Sequence, residues 1–245
     1  MGGKSSKTAS AGNFLEEKLA EVIKRKAARR PPPTTKFTKL LLRFPQMRNG
    51  FNKCRAVFRD IDADHSRSVD LQELRIGCRR HGFSVPDDLV VKIFQSTDLD
   101  GNHVLDFREF IVVLAIISMF EADLHGGTGP AQSLDPEIVQ AFAIAEEAFL
   151  YFDASRDGYM QKDEVMAALA ETETHIAAQA RPGSLGPRNT SILAKRFEEM
   201  DWDNNGQISF KEFLYAVQSW VLDEDDEVED AEANANFDSL RKSDF

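Results

Sequence analysis

The chain has little of what secretion, membrane insertion or catalysis requires. Its 245 residues include two cysteines, Cys54 and Cys78. Neither belongs to a CxxC pair, so both are read as reduced thiols without a disulfide or zinc role. No apolar run approaches the roughly 20 residues of a membrane-spanning helix. The longest, Ile111 to Phe120, reads as one buried helix. The N-terminus lacks the apolar stretch of a secretory signal, so a cytoplasmic protein is expected. Nucleophile elbow, P-loop and kinase signatures are missing, and no enzyme is expected. Methionine is sparse, 6 against 18 phenylalanines. Stiff apolar surfaces of that kind suit one or a few dedicated partners better than many.

What the chain does have is acid at fixed spacing. Four twelve-residue segments each begin with aspartate and end with glutamate: DADHSRSVDLQE from Asp62, DLDGNHVLDFRE from Asp98, DASRDGYMQKDE from Asp153 and DWDNNGQISFKE from Asp201. A calcium ion takes six to eight oxygens at about 2.3–2.6 Å, supplied by positions 1, 3, 5, 7, 9 and 12 of such a loop. Position 7 offers its carbonyl, and the closing glutamate offers two oxygens. The expected ligands are Asp62, Asp64, Ser66, Ser68, Asp70 and Glu73 in the first loop, and Asp98, Asp100, Asn102, Val104, Asp106 and Glu109 in the second. In the third they are Asp153, Ser155, Asp157, Tyr159, Gln161 and Glu164, and in the fourth Asp201, Asp203, Asn205, Gln207, Ser209 and Glu212.

The flanks agree with a helix–loop–helix unit around each loop. Phe58, Phe94, Phe149 and Phe197 stand four residues before the loops, and Leu74, Phe110, Val165 and Phe213 directly follow them. Val69, Leu105, Met160 and Ile208 hold position 8, where two loops join through a short β contact. Up to four calcium ions are expected. Position 6 normally needs positive φ, which favours glycine. Gly158 and Gly206 supply it in loops three and four, whereas Arg67 and His103 occupy it in the first two. Loops three and four are therefore expected to bind most dependably, and the first loop least.

The spacing gives an all-α architecture of two EF-hand lobes. Residues 50–125 and 137–222 form the two hand pairs, with a linker at 126–136 that opens with Gly126-Gly127-Thr128-Gly129-Pro130. Residues 1–49 form a basic extension and 223–245 an acidic tail. Before Asp60 there are 15 Lys and Arg against 3 Asp and Glu, although the whole chain carries −11. Residues 14–30 place Leu15, Leu19, Val22 and Ile23 on one helical stripe among Lys18, Lys24, Arg25, Lys26, Arg29 and Arg30. Such a helix suits an anionic membrane surface, or equally a groove in one of the chain's own lobes. Nucleic acid is not expected, because the arm lacks interleaved aromatics and the body is acidic.

Met1-Gly2-Gly3-Lys4-Ser5-Ser6 fits the pattern for N-myristoylation on Gly2. One acyl chain anchors weakly, and a basic segment beside it supplies the second signal. With these features read, the chain resembles the calmodulin-like proteins of plants and green algae, in particular those with an MGG start and a basic extension. The shared features are Leu41-Leu42-Arg43-Phe44-Pro45, the stretch RFEEMDWDNNGQISFKEFL and the acidic tail. The chain departs from that pattern at Arg67, where the family usually has glycine. The resemblance implies a calcium sensor without catalytic activity. The expected function is regulation of a target protein through an amphipathic helix of that target, at a cytoplasmic membrane face. The alternative is a constitutive calcium-binding subunit of a larger cytoskeletal or ciliary assembly.

Overall fold

The computed structural model describes residues 5–29, 37–124, 134–168 and 197–222. Gly2, the acidic tail and most of the expected linker lie outside them. The order of elements is α1 (Ser5–Arg29), α2 (Phe37–Leu41), α3 (Phe44–Ile61), α4 (Leu71–Arg80), α5 (Asp87–Thr97), α6 (Phe107–Leu124) and α7 (Pro136–Phe152). Then come β1 (Met160–Gln161), the described parts of α8 (162–168) and α9 (197–200), β2 (Gln207–Ile208) and α10 (Phe210–Val221). The fold is all-α, and among the described residues strands occur only where loops meet.

The helix ends follow from local chemistry. Asp70 caps α4, and its side chain accepts from the Glu73 amide while Glu73 reaches back to the Asp70 amide. Ser209 and Glu212 repeat this capping box at α10. Pro45 and Pro136 occupy the first turns of α3 and α7, where a missing N–H costs nothing. One glutamate in each of these loops thus serves both as last expected ligand and as start of the next helix.

Helix α6 is the axis of the molecule. Every residue from Glu109 to Glu121 is buried, so it is apolar around its circumference, as a helix must be when covered on all sides. Helices α5 and α3 cover it from the first hand pair, and α10 and α1 from elsewhere in the chain. One continuous core runs from Leu15 through Phe51, Phe110 and Phe149 to Leu222.

The two hand pairs meet directly. Helix α3 lies along α7, with Gly50 at the closest approach. A Cβ placed on Gly50 would stand 2.4 Å from both the Ala141 Cβ and the Glu137 carbonyl oxygen. Lys53 closes the rim of this seam at 3.1 Å from Asp135 and 2.6 Å from Glu137. A second bridge is polar and buried: the Tyr215 hydroxyl donates to the Thr97 carbonyl at 2.7 Å, linking α10 to the end of α5.

Helix α1 packs onto the body and crosses both pairs. Leu15, Leu19, Val22 and Ile23, the stripe expected from the sequence, are all at or below 3% exposure. Burying each such side chain stabilises by about 1.5–3 kcal/mol relative to leaving it in water. The two cysteines are free and buried. Burial raises both thiols, that of Cys78 to about 12 with help from Asp87 and Glu121. Burial of this kind disfavours the thiolate, as for cysteines that serve in packing.

The Gly50 contact gives a sign-reversed test. Alanine in a helix interior normally gains about 1 kcal/mol over glycine. Gly50→Ala should instead lose about 1–3 kcal/mol, because the seam between α3 and α7 must open. Urea unfolding measures the difference, and a stabilised variant would show that the seam is not closed in solution.

Candidate calcium sites

Each loop is folded by its own carboxylates before any ion is considered. The position 1 aspartate accepts from backbone amides across the turn. Asp62 takes those of Ser66 and Arg67 at 3.0 Å each, and Asp201 those of Asn205 and Gly206 at 3.1 and 2.9 Å. The position 3 aspartates Asp64, Asp100 and Asp203 each accept from the amide two residues on. The closing glutamates clamp both ends. Glu109 accepts from Leu99 at 2.9 Å and Asp106 at 3.0 Å, and Glu212 accepts from Trp202 at 3.1 Å and Ser209 at 2.8 Å.

These bonds bring like charges together. In loops one, two and four, one oxygen each from Asp62, Asp64 and Glu73, from Asp98, Asp100 and Glu109, and from Asp201, Asp203 and Glu212 lie within 4.8 Å of one another. Burial, opposed by the backbone amides, raises Asp62, Glu109 and Glu212 above the usual carboxylate range. The Ser66 hydroxyl and amide hold the exposed Asp64 below it. In loop two the Asp98 Oδ1 is buried without any hydrogen-bond partner, unlike the corresponding oxygens of loops one and four. A hard cation satisfies all three conditions at once: the orphaned oxygen, the clustered charge and the buried glutamate. The donor set is all oxygen, which suits calcium.

Loop three differs. Its position 3 is Ser155, and Glu164 accepts at 2.7 Å from the Ser155 amide rather than from position 2. Asp153 is fully buried and raised by burial, and it accepts from Asp157 and Gly158 at 3.1 and 2.9 Å. Helix α1 rests on this loop. A Cβ on Gly158 would stand 2.7 Å from the Ala20 Cα, and the Arg156 guanidinium donates to the Ala27 carbonyl at 3.0 Å. Gly158 therefore answers two demands, positive φ of 86° and close approach of a helix.

The backbone shows a requirement that the sequence reading missed. Every loop has positive φ at position 4 as well as at position 6. The position 4 residues are His65 (60°), Gly101 (69°), Arg156 (60°) and Asn204 (55°). Arg67 and His103 adopt the position 6 turn at 67° and 66° despite their side chains. In loop two the glycine has in effect moved from position 6 to position 4, where it relieves one of the two strained residues.

Loop pairs join as their spacing implied. Val69 and Leu105 exchange both backbone hydrogen bonds, at 2.9 and 2.8 Å. Met160 pairs with Ile208 and Gln161 with Gln207 in an antiparallel ribbon. The two loops of each pair are thereby tied together through the backbone.

Comparison with known proteins agrees with this geometry. Residues 51–114 match the model of an EF-hand domain pair, and residues 193–214 that of an EF hand. The probable calcium-binding protein CML21 of Arabidopsis thaliana is 31% identical over 214 residues, covering 86% of this chain and 87% of that one. CML22 of the same plant, also named a probable calcium-binding protein, is 30% identical over 77% of this chain and 79% of its own. Calcium-dependent protein kinase 22 of Arabidopsis thaliana is 26% identical, but the match spans only 27% of that kinase. The fold and loops define an EF-hand calcium-binding protein. Within that class the chain belongs to the calmodulin-like calcium-binding proteins.

Replacing Arg67 by glycine tests the strained turn. A non-glycine residue at this φ costs about 1 kcal/mol, and Arg67 adds a positive charge to an otherwise acidic loop. Arg67→Gly should raise the stability of the metal-free chain by about 1 kcal/mol in urea and tighten calcium binding at the first loop by calorimetry. Unchanged values in both would show that the turn is not strained.

Proposed function

We propose that this protein is a calcium sensor that regulates a target protein. The observation that supports it best is the pairing of charge-crowded loops through backbone β contacts, since ion binding at one loop then repositions the helices of two. All four loops are assigned to calcium, with the ligands named above, and the one from Arg67's loop is assigned the lowest affinity. The target supplies an amphipathic helix. The protein works at a cytoplasmic membrane face, held by an acyl group on Gly2 and by basic residues of 1–30. Among the described residues no helix is long and apolar enough to cross a membrane, so attachment of this kind would be peripheral. With the α1 stripe buried, the basic side chains that face solvent, including Lys18 and Lys24, carry the electrostatic part.

A rival reading, a constitutive subunit with permanent or no metal, draws support from the direct seam between the hand pairs. Titration separates the two. With millimolar magnesium present, a sensor should bind calcium in the micromolar range with a change in the emission of Trp202, which is 44% exposed and lies tilted against Tyr215. Sites already filled on purification, or no binding at all, would favour the subunit. Glu212→Gln removes the carboxylate that clamps loop four and should lower the calcium stoichiometry by one. An unchanged stoichiometry would remove loop four from the assignment.

Gly2→Ala cannot be acylated and should shift the protein from membrane to soluble fractions in cells. Equal membrane retention of the two forms would dismiss the acyl anchor.

A further inference from the structure

The closing glutamate of loop four connects through three contacts to loop two, which belongs to the other hand pair. Glu212 accepts from the Trp202 amide at 3.1 Å. The Trp202 ring lies tilted against that of Tyr215, with centroids 5.0 Å apart. The buried Tyr215 hydroxyl donates at 2.7 Å to the carbonyl of Thr97, the residue before Asp98. Burial, with Glu109, Asp106 and Asp98 nearby, raises the Tyr215 pKa, so the hydroxyl keeps its proton. Beside it the Lys211 ammonium stands 3.4 Å from the Ser96 hydroxyl. Among the described residues no β contact joins loops two and four.

Thr97 is fixed from two sides. It is fully buried, and its hydroxyl donates back along α5 to the Ile93 carbonyl at 2.8 Å. Its own carbonyl is one of the last four of α5, which a helix leaves unpaired, and Tyr215 supplies the donor. The next side chain in the chain is the first ligand of loop two. Asp98 Oδ2 accepts from the His103 amide at 3.1 Å, and Oδ1 is the buried oxygen without a partner.

We propose that Tyr215 is a positioning residue for the calcium site of loop two, and that through it loops two and four bind calcium cooperatively across the seam. The inference rests on the calcium assignment of these two loops. With an ion in loop four, Glu212 is held in the first turn of α10, the helix that carries Tyr215. Fixing that turn fixes the hydroxyl that orients Thr97 and, one residue on, Asp98. A ligand already oriented loses less freedom when its ion arrives. Each site then raises the affinity of the other, as linkage requires. The two hand pairs respond to calcium as one unit rather than as separate lobes.

Amide NMR of the full chain at buffered free calcium reads the two sites individually. The His103 amide donates to Asp98 and reports loop two, and the Gly206 amide donates to Asp201 at 2.9 Å and reports loop four. In the otherwise native chain, Glu212→Gln should raise the free calcium that half-fills loop two by about five-fold or more. In a Tyr215→Phe chain the same substitution should shift it by less than about two-fold. Tyr215→Phe alone should weaken loop two by about five-fold, the scale of one net hydrogen bond, although residue 215 lies in the other hand pair. Equal shifts in the two backgrounds would overturn the proposal. Absence of a shift in the otherwise native chain overturns it as well, whatever the state of the Tyr215→Phe chain.

Glu73→Gln separates positioning from general loosening. Loop one reaches loop two through Val69 and Leu105 rather than through Tyr215. Any shift that Glu73→Gln gives loop two should therefore survive Tyr215→Phe. Loss of both shifts would make Tyr215 a structural residue only and end the inference. If His103 and Gly206 never respond to calcium, the calcium assignment of these loops falls, and this inference with it. Two responding sites without coupling through Tyr215 sink this inference alone.

Discussion

The constraint on which the structure depends is the crowding of carboxylates inside twelve-residue loops. Oxygens from three acids lie within 4.8 Å of one another and repel when ionised. The chain holds them with backbone amides aimed inward and with a glutamate that ties the two ends of each loop. The same glutamates sit in or beside the first turns of the exiting helices, two of them in full capping boxes. The geometry of a loop and the direction of the following helix are thus one decision.

That coupling spreads by two routes. The β contacts join loops within a pair through backbone hydrogen bonds at Val69–Leu105 and Met160–Ile208. The pairs are joined by side chains, at the Gly50 seam and at the Tyr215–Thr97 bond. Thr97 immediately precedes loop two and Tyr215 lies three residues after Glu212, so the polar bridge spans from one calcium loop's threshold to another's exiting helix. Loop three is distinct because Ala20 and Ala27 of α1 press on it. Helix α1 therefore contacts a candidate calcium loop directly.

Much of this was legible in the residues. The convergent acids of loops one, two and four, the apolar flanks and the position 8 pairing follow from spacing within one helix–loop–helix unit, where the interactions are local. The stripe Leu15, Leu19, Val22, Ile23 was legible as buried somewhere. The turn at position 4 was not, because His65, Arg156 and Asn204 carry no glycine to mark it. Ordering the loops by turn glycine and grouping them by converged carboxylates also select differently. Loop three has the glycine, while loops one and two have the grouping. Side-chain type sets both, since loop three carries Ser155 where the other loops have their third acid.

By itself, then, the sequence determined the calcium chemistry and the helical class, since both are written in residues at fixed short separations. Only the tertiary structure decided where α1 lies and how the hand pairs meet. A basic amphipathic stripe presents the same pattern to a membrane, to a foreign groove or to its own body. The choice among them here was made by Asp123, Glu146 and Lys211, more than 95 residues away in the chain. Likewise, nothing about Gly50 marks it as a crossing point until Glu137 and Ala141 are brought against it. Local spacing fixes what a segment offers, and long-range packing fixes which of several complementary surfaces accepts it.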